Sequence, residues 1–91
     1  MSSAWKIEIG EHAREALRKL DKADAKRITK FLEERLAQRE DPRSLGYSLR
    51  GDLAPYWRYR VGDYRLICQI IDNRLVVLVL TIGHRRDVYQ R

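Results

Sequence analysis

Residues 57–89 read W-R-Y-R-V-G-D-Y-R-L-I-C-Q-I-I-D-N-R-L-V-V-L-V-L-T-I-G-H-R-R-D-V-Y. Three apolar runs rich in β-branched residues are parted by two short turn signals, Gly62-Asp63 and Asp72-Asn73. Runs of this length between such pairs predict three strands joined by tight hairpins. The arginines stand inside and at the ends of these runs rather than in loops. If Gly62-Asp63 is a two-residue turn, Val61 faces Tyr64 and Arg60 faces Arg65. Directly opposed residues point to the same side, and so do residues two apart. Arg58, Arg60 and Arg65 then share one face of the sheet. Like charges across a ladder destabilise it, so this cluster makes sense if an anion sits there. By the same parity Trp57, Tyr59 and Tyr64 point the other way, against the core.

Upstream, W-K-I-E-I at Trp5 to Ile9 alternates apolar and polar residues and predicts a short strand ended by Gly10. Ala13, Ala16, Leu17 and Leu20 recur at helical spacing between Glu11 and Leu20. Asp21 is a plausible N-cap for a second helix with Ala25, Ile28, Phe31, Leu32 and Leu36 on its apolar stripe. Asp41-Pro42 stops that pattern. Two short adjacent helices predict an αα-hairpin. Arg43 to Pro55 reads as irregular, with Leu45, Tyr47, Leu49 and Leu53 tucked into the core edge. The last run, Leu75 to Ile82, is apolar except at Thr81, as expected of a central strand or one covered on both faces. Strand, helix, helix and a three-stranded antiparallel meander predict a two-layer α+β fold built on one sheet. The helices cover one face and leave the arginines on the other.

Ninety-one residues make one small domain, residues 1–91, able to bury roughly 60–65% of its unfolded surface. With 44% hydrophobic and 35% charged residues the composition is that of a soluble globular chain rather than a disordered one. No run is long enough to span a bilayer, and M-S-S-A-W-K lacks the apolar core of a signal peptide. Cys68, the single cysteine, falls mid-strand, where a small buried hydrophobe is expected and no internal disulfide can form. That fits a reducing cytoplasm. His12 has no partner at metal-ligand spacing, and neither metal nor cofactor is expected. The net charge is +6. Residues 1–42 carry ten Lys and Arg against nine acids; residues 43–91 carry nine arginines, four aspartates, and no lysine or glutamate. The arginine fork binds phosphate bidentately, so the second half suggests a nucleic-acid or acidic-protein partner.

The ordered set L-R-G at Leu49 to Gly51, R-Y-R-V-G-D-Y-R at Arg58 to Arg65, and G-H-R-R-D-V-Y at Gly83 to Tyr89 resembles the RelE toxins of the RelE/ParE superfamily. The resemblance covers nearly the whole chain. It implies a cytoplasmic, metal-independent endoribonuclease from a type II toxin–antitoxin pair, which cuts mRNA in the ribosomal A site and so inhibits translation. It also implies a RelB-like antitoxin that neutralises the toxin, and operator DNA bound only through the antitoxin complex. In RelE-like enzymes the 2′-OH attacks the adjacent phosphate, leaving a 2′,3′-cyclic phosphate and a 5′-OH. That reaction needs a group to take the 2′-OH proton, a donor for the 5′-oxygen, and positive charge on the developing phosphorane. Arg58 and Arg60 match the paired basic positions of the first hairpin strand, Arg65 the arginine after the turn, Arg85 the arginine after the strand-end glycine, and Tyr89 the C-terminal tyrosine. Arg50 and Arg86 are further phosphate-binding candidates.

The paired basic positions are lysines in some members of that family, where one can act as a base. Arginine stays protonated, so here Arg58 and Arg60 are clamps, and His84 and Tyr89 are both candidates for proton transfer; the resemblance implies for Tyr89 either that role or stacking on a base. The chain stops two residues after Tyr89, without the helix that some members carry. Two other readings compete. A ParE-like toxin on the same fold would inhibit DNA gyrase and cut no RNA. A non-catalytic basic module would bind nucleic acid on its sheet, with Trp57, Tyr59 and Tyr64 as stacking aromatics if they faced outward.

Overall fold

The computed structural model describes residues 5–49 and 56–84. Strand β1 (Lys6–Ile9) leads through Gly10 into helix α1 (Glu11–Arg18), and α2 (Lys22–Lys30) follows. The helical path of α2 continues as a wider π-helical turn over Phe31–Leu36, with the Ala37 amide donating five residues back to the Leu32 carbonyl at 3.0 Å. Asp21 does precede α2, but its side chain makes no capping bond. Ala13, Ile28, Leu32 and Leu36 are buried against the sheet, as their helical spacing requires.

Among the described residues the sheet has five strands, in the order β1, β5 (Val76–His84), β4 (Tyr64–Ile71), β3 (Trp57–Val61) and β2 (Tyr47–Ser48). The three-stranded meander is present as β3 (Trp57–Val61), β4 (Tyr64–Ile71) and β5 (Val76–His84), paired antiparallel. β1 lies parallel to β5: the helices lead from β1 to β2 at the opposite edge, and the antiparallel strands that follow return the chain to β5 beside β1. β5 is thus flanked on both sides, as its apolar run suggested.

Three expectations change. The segment after Pro42 is not wholly irregular. Pro42–Leu45 forms a 3₁₀ turn, and Tyr47–Ser48 forms a fifth strand, β2, antiparallel to β3. Asp41 caps the turn by accepting from the Arg43 amide at 3.0 Å. Tyr47 is not tucked into the core but 65% exposed; Leu53 lies outside the described residues. The second hairpin turn is longer than Asp72-Asn73. Asp72–Arg74 makes a 3₁₀ turn, and Leu75 takes a left-handed conformation, φ 53°, with 48% of its surface exposed. The strand therefore begins at Val76. Arg43 braces this turn, its guanidinium donating to both Asp72 oxygens at 3.0 and 2.6 Å and holding that carboxyl below its usual range.

The first hairpin is as its sequence requires. Val61 pairs with Tyr64 and Arg60 with Arg65. Gly62 has φ 58° while Asp63 does not go positive, the pattern of a type II′ turn with glycine at its first central position. The helix-side face carries Tyr59, Val61, Leu66, Cys68, Val77, Val79 and Ile82, all buried. Trp57 and Tyr64 pack against the same cluster, so the aromatics of the hairpin are core. The Tyr59 hydroxyl donates to the Pro42 carbonyl at 2.9 Å, and burial raises its pKa. Cys68 is fully buried and its thiol is pushed up to about 12, which makes it an inert hydrophobe at neutral pH.

Candidate functional site

On the face that the helices do not cover, β3 and β4 bring arginines together. Arg60 stands directly opposite Arg65, and Arg58 lies two residues along on the same side. Arg60 is exposed, Arg58 half-buried, and Arg65 only 4% exposed. Arg65 thus forms the buried centre of this row, with Arg60 as its solvent-facing partner.

A bulge in β5 decides what joins this row. Ile67 pairs with Thr81 but Cys68 with Val79, so Leu80 is the extra residue. The shift reverses parity along the rest of the strand. Gly83 then falls opposite Arg65, and His84 opposite Tyr64. Gly83 has no side chain to fill the space beside Arg65. The His84 ring meets the Tyr64 ring edge-on, centroids 5.4 Å apart, and the Tyr64 hydroxyl donates to Asp24 of α2 at 3.0 Å. His84 thus belongs to the Tyr64 row, not to the arginine row. Arg50, Arg85, Arg86 and Tyr89 lie outside the described residues. Of the eight candidates, three arginines are brought to one face and one histidine is set apart from them.

Sequence reasoning missed two features. Between the π-helical turn and the hairpin end lies a hollow of about 380 Å³, with Arg27, Lys30, Glu34, Arg35 and Arg60 in its lining. The spacing of Arg27, Lys30 and Glu34 along one helix held the signal; the proximity of Arg60 needed the fold. The second feature is Tyr47, paired with Arg58 across β2 and β3, whose guanidinium carbon lies 5.9 Å from the ring centroid. Among the described residues no group of three His, Cys, Asp or Glu side chains could hold a metal, and no helix is long and apolar enough to cross a membrane.

The family model described as ParE toxin of type II toxin–antitoxin system, parDE, matches residues 7–89. The chain is 35% identical over 89 residues to the mRNA interferase toxin RelE of Escherichia coli K12, covering 94% of this chain and 90% of that protein. It is 39% identical over 51 residues to Toxin RelG of Mycobacterium tuberculosis, a match covering 56% of this chain and only 59% of that protein. Among solved structures, a RelBE toxin–antitoxin complex from Mycobacterium tuberculosis superposes with a TM-score of 0.84 at 28% identity, over 93% of this chain and 95% of that one.

Proposed function

The chain belongs to the RelE/ParE family of toxins of type II toxin–antitoxin systems, and on that premise we propose that it is a cytoplasmic, ribosome-dependent endoribonuclease. It cuts mRNA in the A site, without a metal, and a RelB-like antitoxin neutralises it. The observation that carries this reading is the Arg60–Arg65 pair, with Arg58 beside it on the face away from the helices. A ladder gains nothing from opposed like charges; a pentacoordinate phosphorane, more negative than its ground state, gains from both. The name mRNA interferase on the E. coli relative supports the same reaction.

In that reaction the 2′-oxygen attacks phosphorus and the P–O5′ bond breaks. The 2′-OH proton is taken up and the 5′-oxygen receives one. Arg58 clamps the backbone, Arg60, Arg65 and Arg85 balance the phosphorane charge, and Arg50 and Arg86 hold neighbouring phosphates. Tyr89 is the favoured proton carrier, since His84 is turned toward Tyr64. Operator DNA is reached only through the antitoxin complex.

Primer extension on mRNA from cells expressing the chain tests this directly. Cuts inside translated codons should vanish when the start codon is removed, and Arg65→Ala or Arg85→Ala should lower cleavage about 10²–10³-fold and lift growth arrest. One observation favours a second reading, ParE-like gyrase inhibition: the name of the matching family model. Arrested growth with intact mRNA and relaxed or broken DNA would select it. Intact mRNA and no arrest would leave a basic binding module, whose expected aromatics, Trp57, Tyr59 and Tyr64, are turned into the core.

A further inference from the structure

Most aromatic rings of the sheet are withdrawn into the core; Tyr47 is the reverse. It was expected inside and is 65% exposed, one of two large exposed hydrophobic residues among those described. Its position is well fixed. Gly46 sits so close to β3 that a Cβ there would lie 2.7 Å from the Arg58 carbonyl oxygen and 2.7 Å from the Tyr59 ring. That contact seats the start of β2 against a buried tyrosine and a backbone oxygen, neither of which can give way. Tyr47 then pairs with Arg58 and shares its face with Arg60, two residues further along β3. The Arg58 guanidinium approaches the Tyr47 ring at 5.9 Å, which orients the ring while most of its surface stays in water.

An aromatic ring held in the open, beside a row of arginines, suits a single-stranded nucleic acid: cations track the phosphates and a base stacks on the ring. We propose that Tyr47 is a stacking platform for a base of the mRNA substrate, on the nucleotide next to the phosphate held by Arg60 and Arg65. The Tyr47–Arg58 row lies two strand residues from the Arg60–Arg65 row, about 7 Å, which suits a neighbouring nucleotide. The proposal rests on the nuclease reading above. The stack holds the RNA backbone in register with the arginines, so its loss slows cleavage without removing a reacting group. Stacking is stronger for purines than for pyrimidines, so the same ring contributes base preference at that position.

The test is single-turnover cleavage of mRNA on programmed ribosomes carrying a set of A-site codons, with wild type, Tyr47→Ala, Tyr47→Leu, Tyr47→Phe and Arg65→Ala. Tyr47→Ala and Tyr47→Leu should each slow cleavage about five- to a hundredfold and flatten the preference between purine and pyrimidine at one codon position. Tyr47→Phe should restore both, because the ring and not the hydroxyl stacks. Unfolding midpoints should stay at the wild-type value, since the ring is exposed. Wild-type rates and codon preference in Tyr47→Ala and Tyr47→Leu, with Arg65→Ala inactive, would overturn the platform while leaving the nuclease standing, and would give the ring to a protein partner instead. No cleavage by the wild type would overturn both.

Discussion

On the helix-covered side of the sheet, Tyr59, Leu66, Val77 and Val79 are fully buried among Ile28, Leu32 and Leu36. On the other side the same strands carry Arg58, Arg60 and Arg65, with Tyr47 in the open. The first arrangement lowers the free energy of the fold, each apolar side chain contributing about 1.5–3 kcal/mol on burial. The second raises it, by opposing like charges across a ladder and by leaving an aromatic ring in water. Alternation along a strand lets one hairpin do both at once, so residues one apart in sequence answer to different demands.

The largest expected effect comes from the core. Leu32→Ala leaves a cavity under the sheet and should cost about 2–5 kcal/mol in chemical denaturation. Cleavage by the fraction that remains folded should match wild type, because Leu32 touches only the covered side. Gly46→Ala comes next, with a cost of about 1–3 kcal/mol from overpacking against the Arg58 carbonyl and the Tyr59 ring. It should also slow cleavage, since it displaces β2 and with it Tyr47. A smaller effect separates the faces by pH. Burial raises the Tyr59 and Cys68 pKa values, so both groups favour the folded state while protonated. Their contribution is intact below the unfolded values, about 8.5 for a thiol and 10 for a phenol, and is lost as pH rises. Denaturation midpoints should fall above about pH 8.5, and Cys68→Ala should delay the fall.

Much of this division is legible in the chain. Gly62 admits the positive φ that a two-residue turn demands, and that fixes the register of Arg60 on Arg65 and turns Tyr59 and Tyr64 inward. The helical spacing of Ile28, Leu32 and Leu36 marks their buried stripe equally well. What could not be read depends on contacts distant in sequence. β2 forms because Gly46 fits against Tyr59, a fit no local pattern encodes. The strand start at Val76 depends on Leu75 adopting a left-handed conformation that propensity disfavours. The bulge at Leu80 lies in a uniformly apolar run, so nothing in V-V-L-V-L-T-I announces that Gly83 joins Arg65 and His84 joins Tyr64. The parallel pairing of β1 with β5 joins residues seventy apart.

The central claim is that Arg60 serves the anion and not the fold, and Arg60→Ala tests it. Arg60 is exposed, so its removal opens no cavity and relieves the opposition to Arg65. The measurement is mRNA cleavage on ribosomes by Arg60→Ala, with its denaturation midpoint taken on the same sample. The expected result is cleavage slowed about 10²–10³-fold with stability unchanged or raised by about 0.2–1 kcal/mol. Wild-type cleavage by this variant, or a loss of activity that merely follows a loss of folded protein, would contradict it.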